Sequence, residues 1–301
     1  MDNLIFFVPK YEELFLKDAS FEKLATGFSF SEGPVWDIAK NCLYFTDFAN
    51  DIIYKWSKKE GSVPYRTAAN RPIGLSLSYD GRIISTESSA HRIAYADEKK
   101  SELIVGFYQG KRFNSPNDVV AKSDGSIWFT DPYSTALGAK KELYMDGVYR
   151  ISQTGEVTLV TGELGRPNGL AFTPDESCLY VNDTNLQQIF KINLFEDGSF
   201  GELKLFATLD PSYGDGAPDG MKVDVAGNVW VTGPGGLWVI TPDGIPAAVL
   251  RTPELVGNFC FGGPENRMLF IAACSSLYAY PVAISGIIPK QKGNDHAKSD
   301  L

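Results

Sequence analysis

Histidine and cysteine are scarce in this chain of 301 residues, which contains two of the former and four of the latter. Because His91 and His296 are the only histidines, a metal site built from three imidazoles is impossible. The cysteines are widely spaced and form no C-x-x-C pair, so neither a disulfide framework nor a zinc–thiolate site is indicated. They are Cys42, Cys178, Cys260 and Cys274. We expect them to be small apolar residues of the core.

Long apolar runs are also missing. The longest run, Met268–Cys274, is far shorter than the about 18 residues that a membrane-spanning helix requires. The N-terminal residues carry the acidic Asp2 where a secretory signal peptide carries positive charge, and their apolar stretch is only five residues long. We therefore expect a cytoplasmic protein with no membrane partner.

Positive charge is in deficit, since 28 Lys and Arg residues face 37 Asp and Glu residues and give a net charge of −9. A protein that follows nucleic-acid phosphates needs a basic face, so we expect no nucleic-acid partner. The charge balance leaves room for cations and small molecules as ligands. The G-x-S-x-G motif of a nucleophilic serine and the glycine-rich loops of nucleotide sites are absent as well. The sequence does not indicate an oligomeric state.

Aromatic residues, glycine and proline are abundant. The chain contains 19 Phe, 14 Tyr and 5 Trp together with 29 Gly and 17 Pro. This composition favours many strands and tight turns over long helices. At this length roughly three quarters of the unfolded surface can be buried, so the core needs no disulfide or metal for its stability.

A short pattern recurs six times along the chain. Each copy opens with a polar or small residue, continues with alternating apolar residues and a turn, and ends in a second strand rich in aromatic residues. The opening residues are spaced by 41, 44, 51, 51 and 39 residues. They are Glu32, Ile73, Asn117, Asn168, Asp219 and Asn258. A regular period of this length is typical of repeat architectures.

The third copy shows the content of one repeat most clearly. Alternation and turn signals predict four strands, at 117–121, 126–130, 147–152 and 157–161. Six units of four antiparallel strands predict an all-β fold, a six-bladed β-propeller. A large β-sandwich or a two-domain β protein is the alternative, and the regular spacing disfavours it.

Ring closure follows from the last copy, which has room for about three strands before Pro281. The N-terminal segment Phe21–Gly27 would supply the missing strand. We therefore divide the chain into an N-terminal extension (1–19), one propeller domain (20–285) and a polar C-terminal tail (286–301).

The six opening residues should converge, because the innermost strand of each blade lines the central channel of a propeller. Two of them are carboxylates, three are carboxamides and one is apolar. An unpaired ion in such a place costs several kcal/mol, and a divalent cation would relieve the repulsion between the carboxylates. Hard oxygen donors suit Ca²⁺, Mg²⁺ or Mn²⁺, and four protein ligands leave positions open for water and substrate. The alternative interpretation is that the Asn-Gly and Asp-Gly pairs only form turns.

Four segments resemble motifs of the family of senescence marker protein, gluconolactonase and luciferin-regenerating enzyme. They are Ser31-Glu-Gly-Pro-Val-Trp, Asn114-Ser-Pro-Asn-Asp-Val-Val, Arg166-Pro-Asn-Gly-Leu-Ala-Phe and Pro218-Asp-Gly-Met-Lys-Val-Asp. The resemblance runs in order from about residue 20 to residue 282. It is greatest to bacterial gluconolactonases, through the segments Gly110-Lys-Arg-Phe-Asn-Ser-Pro-Asn-Asp-Val-Val and Phe129-Thr-Asp-Pro-Tyr.

This resemblance implies a six-bladed propeller that holds one divalent cation, commonly Ca²⁺, with Zn²⁺, Mg²⁺ or Mn²⁺ as alternatives. The implied metal ligands are Glu32, Asn168 and Asp219, with Asn117 as a ligand or a substrate contact. These positions coincide with four of the opening residues.

Two departures from the family pattern concern substrate contacts. Members of the bacterial group often carry Glu-His together after the second-repeat strand, whereas here His91 lies four residues beyond Glu87. The senescence-marker branch places an arginine two residues before its Asn-Asp pair, where this chain has Ser115. Arg112 could replace that arginine from a different point of the loop.

These observations favour a metal-dependent lactonase that opens a gluconolactone-like sugar-acid lactone to the free acid. Asp219 could take the proton from the attacking water, or the metal could generate the attacking hydroxide directly. Asn117 or Arg112 would hold sugar hydroxyls, Tyr133 would wall the pocket, and His91 is a further candidate substrate contact. The alternatives are a phosphotriesterase similar to diisopropylfluorophosphatase and a non-catalytic propeller that binds a metal or ligand.

Overall fold

Six antiparallel sheets of at least four strands each form the protein. The computed structural model describes residues 3–138 and 140–289. Within each sheet the strands follow one another in chain order from the channel outwards, except that an N-terminal strand forms the outer edge of the last two sheets. The prediction of a six-bladed β-propeller is confirmed, and the sandwich alternative is wrong.

Two strands and blades 1 to 3 occupy the first part of the chain. Strands β1 (Leu4–Phe6) and β2 (Glu22–Thr26) precede blade 1. Blade 1 comprises β3 (Ser31–Asp37), β4 (Cys42–Asp47), β5 (Ile52–Ser57) and β6 (Gly61–Thr67). Blade 2 comprises β7 (Pro72–Leu77), β8 (Ile83–Glu87), β9 (Arg92–Ala96) and β10 (Ser101–Val105), and a small hairpin follows with β11 (Phe107–Tyr108) and β12 (Lys111–Arg112). Blade 3 comprises β13 (Val119–Ala121), β14 (Ile127–Asp131), β15 (Gly147–Ile151) and β16 (Val157–Thr161), close to the four predicted strands.

Blades 4 to 6 complete the ring. Blade 4 comprises β17 (Pro167–Phe172), β18 (Cys178–Asp183), β19 (Gln188–Asn193) and β20 (Lys204–Thr208). Blade 5 comprises β21 (Met221–Val223), β22 (Val229–Gly233), β23 (Gly236–Ile240) and β24 (Pro246–Arg251). Blade 6 contains β25 (Val256–Gly262), β26 (Met268–Ala273) and β27 (Ser276–Pro281). Short 3₁₀ turns occur at Pro9–Leu14, Ser88–Ala90, Thr135–Leu137, Pro211–Tyr213 and Pro264–Asn266.

The ring is closed by β2, which pairs antiparallel with β27 as the outermost strand of blade 6. Lys23 lies opposite Tyr278 and Thr26 lies opposite Ser276. The predicted closing segment, Phe21–Gly27, is therefore confirmed. An N-terminal strand in the final blade ties the N-terminal and C-terminal parts of the propeller together and so closes the ring.

The segment before β2 is built into the propeller. Strand β1 pairs with β24 and adds a fifth strand to blade 5, with Leu4 opposite Leu250. Tyr11, Leu14 and Phe15 are buried against the cores of blades 5 and 6. The division at residue 19 into an extension and a propeller domain stays a prediction, and residues on both sides of it pack into the propeller.

The described part of the predicted tail also contacts the propeller. The side-chain amide of Asn266 donates to the carbonyl of Gly286 (2.8 Å), and the N–H of Gly286 returns a bond to the carbonyl of Asn266 (3.0 Å). These bonds hold the segment against the end of the channel where the inner strands finish. The remaining tail, with His296, lies outside the described residues.

The core lies between neighbouring blades and is rich in aromatic pairs. Trp36 of blade 1 stacks on Phe270 of blade 6, with ring centroids 4.9 Å apart and planes 8° from parallel. Trp128 of blade 3 meets Phe172 of blade 4 edge-on at 5.5 Å. Such pairs add to the free energy of apolar burial. Three of the four cysteines are buried, and all four are unpaired thiols, as predicted.

Within residues 3–138 and 140–289, the structure contains no helix of the length and apolar character needed to cross a membrane.

A charged cluster reinforces the closing strand. The Glu254 carboxylate accepts bonds from the Tyr278 hydroxyl (2.6 Å), the Ser276 hydroxyl (2.7 Å) and the Lys23 ammonium of β2 (3.3 Å). Burial raises the pKa of Glu254, but these hydrogen bonds outweigh burial and hold the pKa at about 2. The ionised form of Glu254 therefore stabilises the closed ring.

We expect Glu254→Gln to lower the free energy of unfolding by about 1–2 kcal/mol at neutral pH, because hydrogen bonds to a charged group are lost. Since the folded pKa lies below the ordinary value of 4.5, the stabilisation is fully present above pH 4.5 and is lost as the pH falls towards 2. Thermal melts of both proteins at pH 7 and pH 3 measure this. Glu22→Gln, an exposed change on strand β2, is the control. An equal difference in melting temperature between the two proteins at pH 7 and at pH 3 would contradict the stabilising role of the ionised Glu254.

Candidate functional site

The predicted opening residues lie together at the end of the channel where the innermost strands begin. Glu32 is only 3% exposed, and the charges of Asp219 and Asp118 act on its carboxylate. The side chain of Asn168 lies next to the Asp219 carboxylate. The structure thus brings Glu32, Asn168 and Asp219 into one polar cluster, contributed by blades 1, 4 and 5.

One opening residue was predicted wrongly. The N–H of Gly220 donates to the carbonyl of Gly257 (2.9 Å), as the N–H of Gly74 donates to the carbonyl of Asn117 (2.8 Å). The strand pairing of blade 6 gives the same alignment. Gly257 is therefore the counterpart of Asn117, and Asn258 lies one residue further on. The sequence pattern places a polar residue before a glycine, and this blade reverses their order.

A second ring of side chains lies one residue below the first, and sequence reasoning missed it. Its polar members are Asp118 and Asn258, from opposite blades of the ring, each of which accepts a hydrogen bond from the next backbone N–H. The Asn258 side chain also lies next to the carboxylates of Asp118 and Glu32. Asp118 Oδ2 is buried without a hydrogen-bond partner. The only sequence signal was that Asp118 directly follows Asn117.

The carbonyl groups of the opening residues are fixed from the neighbouring blade. In four blades the side chain near the end of the second strand donates to the opening carbonyl of the next blade. The bonds are Thr46 Oγ1 to Ile73 (2.9 Å), Thr86 Oγ1 to Asn117 (2.9 Å), Thr130 Oγ1 to Asn168 (2.7 Å) and Asn182 Nδ2 to Asp219 (2.7 Å). A threonine near the end of the second strand recurs in four of the six sequence copies, and it was the signal for three of these bonds.

Close approach of the inner strands accompanies these bonds. At Gly169 a Cβ atom would lie 2.0 Å from the carbonyl oxygen of Asp219, so only glycine fits between blades 4 and 5. The Asn-Gly pair at 168–169 therefore lies in an inner strand and is not merely a turn, which favours the convergent interpretation of these residues.

A different set of carboxylates holds the loops that lead into the inner strands. Asp183 accepts the N–H groups of Gly165 (2.7 Å) and Arg166 (3.2 Å), and Asp131 accepts the N–H of Asn114 (2.8 Å). Burial raises the pKa of Asp131 to about 8 although these N–H groups oppose the shift. These carboxylates position the segments that precede Asn168 and Asn117.

Asn168 is oriented by its neighbours. Its Nδ2 donates to the Thr184 hydroxyl (3.1 Å), which in turn donates to the carbonyl of Pro218 (2.8 Å). Oδ1 is buried and has no hydrogen-bond partner. Leaving a buried carbonyl oxygen unpaired costs about 1–3 kcal/mol, and a cation next to it would remove that cost. The side chain therefore fits the ligand role implied by the family resemblance.

The electrostatics of Glu32 and Asp219 also fit a cation. Burial, followed by the charge of Asp219, raises the pKa of Glu32 well above its ordinary value. Burial, followed by the charge of Asp118, raises the pKa of Asp219 to about 7. Each carboxylate is thus less stable as an anion than in water, which a neighbouring positive charge would reverse. In the described part of the chain, no group of three or more His, Cys, Asp or Glu residues has metal-binding geometry, so amide oxygens would complete such a site.

Asn117, Arg112 and Tyr133 lie at this end of blade 3. The carbonyl of Asn117 is held as described, and its side chain is half-buried. Arg112 forms an ion pair with Glu142 (3.4 Å), and the N–H of Tyr133 donates to Asp146 (3.0 Å). The structure therefore places Arg112 and Tyr133 in the loops above blade 3. Their contact with substrate stays a prediction.

His91 follows the short turn after β8 and is buried. It has a left-handed backbone conformation (φ 56°), and its Nδ1 contacts the carbonyl of Asn114. Glu87 is bound by Arg92 (2.6 Å) and Asn70 (2.8 Å). His91 thus braces the segment that leads to Asn117, and a direct substrate contact stays a prediction.

A cavity of about 230 Å³ lies at the opposite end of the channel. Its walls include Leu77, Phe172 and Ile287, and the side chain of Lys222 also lines it. None of the six predicted opening residues lines this cavity, so the cavity is separate from the polar cluster.

Comparison with known proteins agrees with this geometry. A family model described as SMP-30/Gluconolactonase/LRE-like region matches residues 30–275. The chain is 33% identical to the gluconolactonase of Zymomonas mobilis over 294 residues, which cover 89% of this chain and 82% of that protein. It is 28% identical to a pentonolactonase of Haloferax volcanii, with 80% of each protein covered. A solved structure from Xanthomonas campestris, described as a gluconolactonase, superposes with a TM-score of 0.86 at 30% identity and covers 94% of this chain and 95% of that one.

We expect Thr130→Val to destabilise the protein by about 1–3 kcal/mol, because it leaves the buried carbonyl of Asn168 without its donor. Urea unfolding at equilibrium measures the change. Thr158→Val on the outer strand β16 removes the same hydroxyl where no bond between blades depends on it. Equal losses of stability in the two variants would argue against the role of Thr130.

Proposed function

The chain belongs to the SMP-30/gluconolactonase/LRE-like family, and from this premise we propose that it is a metal-dependent lactonase acting on sugar-acid lactones. Its relatives include a gluconolactonase and a pentonolactonase, which support a lactone-hydrolysing hydrolase. The observation that carries the metal dependence is the unpaired, buried Oδ1 of Asn168 next to the carboxylates of Asp219 and Glu32.

Glu32, Asn168 and Asp219 would hold one divalent cation, with Asn117 as a fourth ligand or a substrate contact. All four offer hard oxygen atoms, which favour Ca²⁺ and also accept Mg²⁺, Mn²⁺ or Zn²⁺. A bound cation would polarise the lactone carbonyl and neutralise charge that develops on its oxygen.

Asp219 is the proposed base of the reaction. Asp219 is half-buried, and a carboxylate in this position can accept a proton as a general base. It would take a proton from the water that attacks the lactone carbonyl carbon. The ring C–O bond then breaks, and the proton passes to the departing ring oxygen, which becomes the hydroxyl of the free acid.

The loops above blade 3 supply the proposed substrate contacts. Arg112 and Asn117 would donate to sugar hydroxyls, and the Tyr133 ring would form one wall of the pocket. His91 holds the backbone just before Asn117, so any effect of its substitution on substrate affinity would act at least partly through that segment.

Glu32→Gln and Asp219→Asn should abolish turnover while the propeller remains folded, because each removes one negative charge from a buried pair without changing its size. We expect cation binding in calorimetry to weaken at least a hundredfold and a pH-stat assay on aldonolactones to show no turnover. A chelator should inactivate the wild-type protein in the same assay. Undiminished hydrolysis in both variants and after chelation would rule the mechanism out. Higher turnover on organophosphates than on lactones would instead favour a phosphotriesterase.

Gly257→Ala tests the placement of Glu32 from a neighbouring blade. The new Cβ would lie 2.2 Å from Glu32 Oε1, and the flexible carboxylate must move away while the backbone stays in place. We expect cation affinity and lactone turnover to fall together by at least tenfold, with a melting temperature close to that of the wild type. In Gly106→Ala the Cβ meets nothing closer than 3.7 Å, so it is the matched control. Full cation affinity in the Gly257 variant would contradict the proposed position of Glu32.

A further inference from the structure

Lys222 brings a positive charge into the inner strand of blade 5. Its strand neighbours Met221 and Val223 are buried and apolar. The Lys222 ammonium donates to the carbonyl of Met221 (3.0 Å) and to Oδ1 of Asn258 (3.3 Å). Placing an ammonium group in such surroundings is unfavourable unless nearby negative charge compensates it.

That negative charge comes from the polar cluster. Burial raises the pKa of Asp118, and of the neighbouring charges that of Lys222 does most to lower it again. The Lys222 charge also lowers the pKa of Asp219. Asn258 connects the groups, because its Oδ1 accepts from the Lys222 ammonium while its side chain lies next to the carboxylates of Glu32 and Asp118. Lys222 is therefore part of the network that holds these carboxylates.

A divalent cation would balance the charges of this network when its carboxylates are ionised. With all carboxylates ionised, three anions and one ammonium leave a net charge of −2. A divalent cation brings the sum to zero. Arg166 also acts on Asp219, but its side chain is exposed and its charge is screened by solvent.

We propose that Lys222 is a positioning residue that lowers the affinity of the cluster for its cation and adds positive potential where the reaction develops negative charge. The inference rests on the proposed metal-dependent lactonase. It predicts opposite effects on two measurements. Without the ammonium the cation is no longer repelled and binds more tightly, whereas the developing oxyanion loses a favourable charge and forms more slowly.

The test uses Lys222→Met, which keeps the apolar stem along the far cavity, and Lys222→Gln, which keeps a hydrogen-bond donor for Asn258. Calorimetric titration of the metal-stripped proteins with Ca²⁺ should give a Kd about tenfold lower than wild type for both variants. With Ca²⁺ bound, kcat for an aldonolactone should fall about tenfold, with little change in KM. Lys191→Met removes the same charge from strand β19 of blade 4, and both quantities should stay within about twofold of wild type.

Each outcome decides between the alternatives. A Kd for Ca²⁺ that is unchanged or higher in both Lys222 variants, with wild-type circular dichroism, would overturn the inference and leave the lactonase proposal standing. Tighter Ca²⁺ binding in the methionine variant alone would assign the effect to the hydrogen bond with Asn258 and would also overturn it. If the wild-type protein binds no divalent cation, the proposed function fails, and the inference fails with it. If the methionine variant does not fold, the glutamine variant decides.

Discussion

Mutual repulsion between carboxylates in a channel end with little water is the constraint on which the site depends. Glu32, Asp118 and Asp219 come from three different blades, and burial destabilises the ionised form of each. Side chains that repel would normally turn apart towards solvent. Here the ring of threonine and asparagine hydrogen bonds, the contact between the strands at Gly169 and the amide of Asn258 hold them in place. The rigidity of the propeller thus keeps the negative charges close together.

The protein uses carboxylates in two distinct ways. Asp183 and Asp131 lie at the ends of second strands and accept backbone N–H groups, so their charge is used in holding loops. Asp183 accepts four backbone N–H groups, whereas in the inner strands Asp118 and Glu32 each accept the N–H of the next residue. An unpaired buried oxygen occurs in both sets, at Asp118 Oδ2 and at Asp131 Oδ1, so position in the inner strands and not hydrogen-bond satisfaction distinguishes the carboxylates of the cluster.

Much of the fold could be predicted from the sequence because a propeller repeats one local pattern. Spacing alone predicted the number of blades, and the short last copy predicted closure by β2. Strand β1 could not be predicted, since three residues carry no recognisable period and their partner β24 lies far along the chain. Pairing over such distances is decided by the assembled sheet edge and not by the local sequence.

The site was predicted less completely, for physical reasons visible at single residues. Glu32, Asn168 and Asp219 were found because they occupy equivalent positions. Gly257 was missed because the prediction looked for polarity, and its role is to leave room for Glu32. Lys222 lies in a strand whose other residues are apolar and predict a place in the core. Only the assembled channel shows which carboxylates lie near its ammonium group.

Closure by an N-terminal strand also imposes an order of events during synthesis. On the ribosome β2 emerges early, but its partner β27 appears about 250 residues later, which at typical translation speeds is a delay of roughly 10–50 s. Until then the first blade has no neighbour on one side, and the backbone that faces Glu32 does not yet exist. The nascent chain can thus form individual blades, but it acquires the complete polar cluster only when translation is nearly finished.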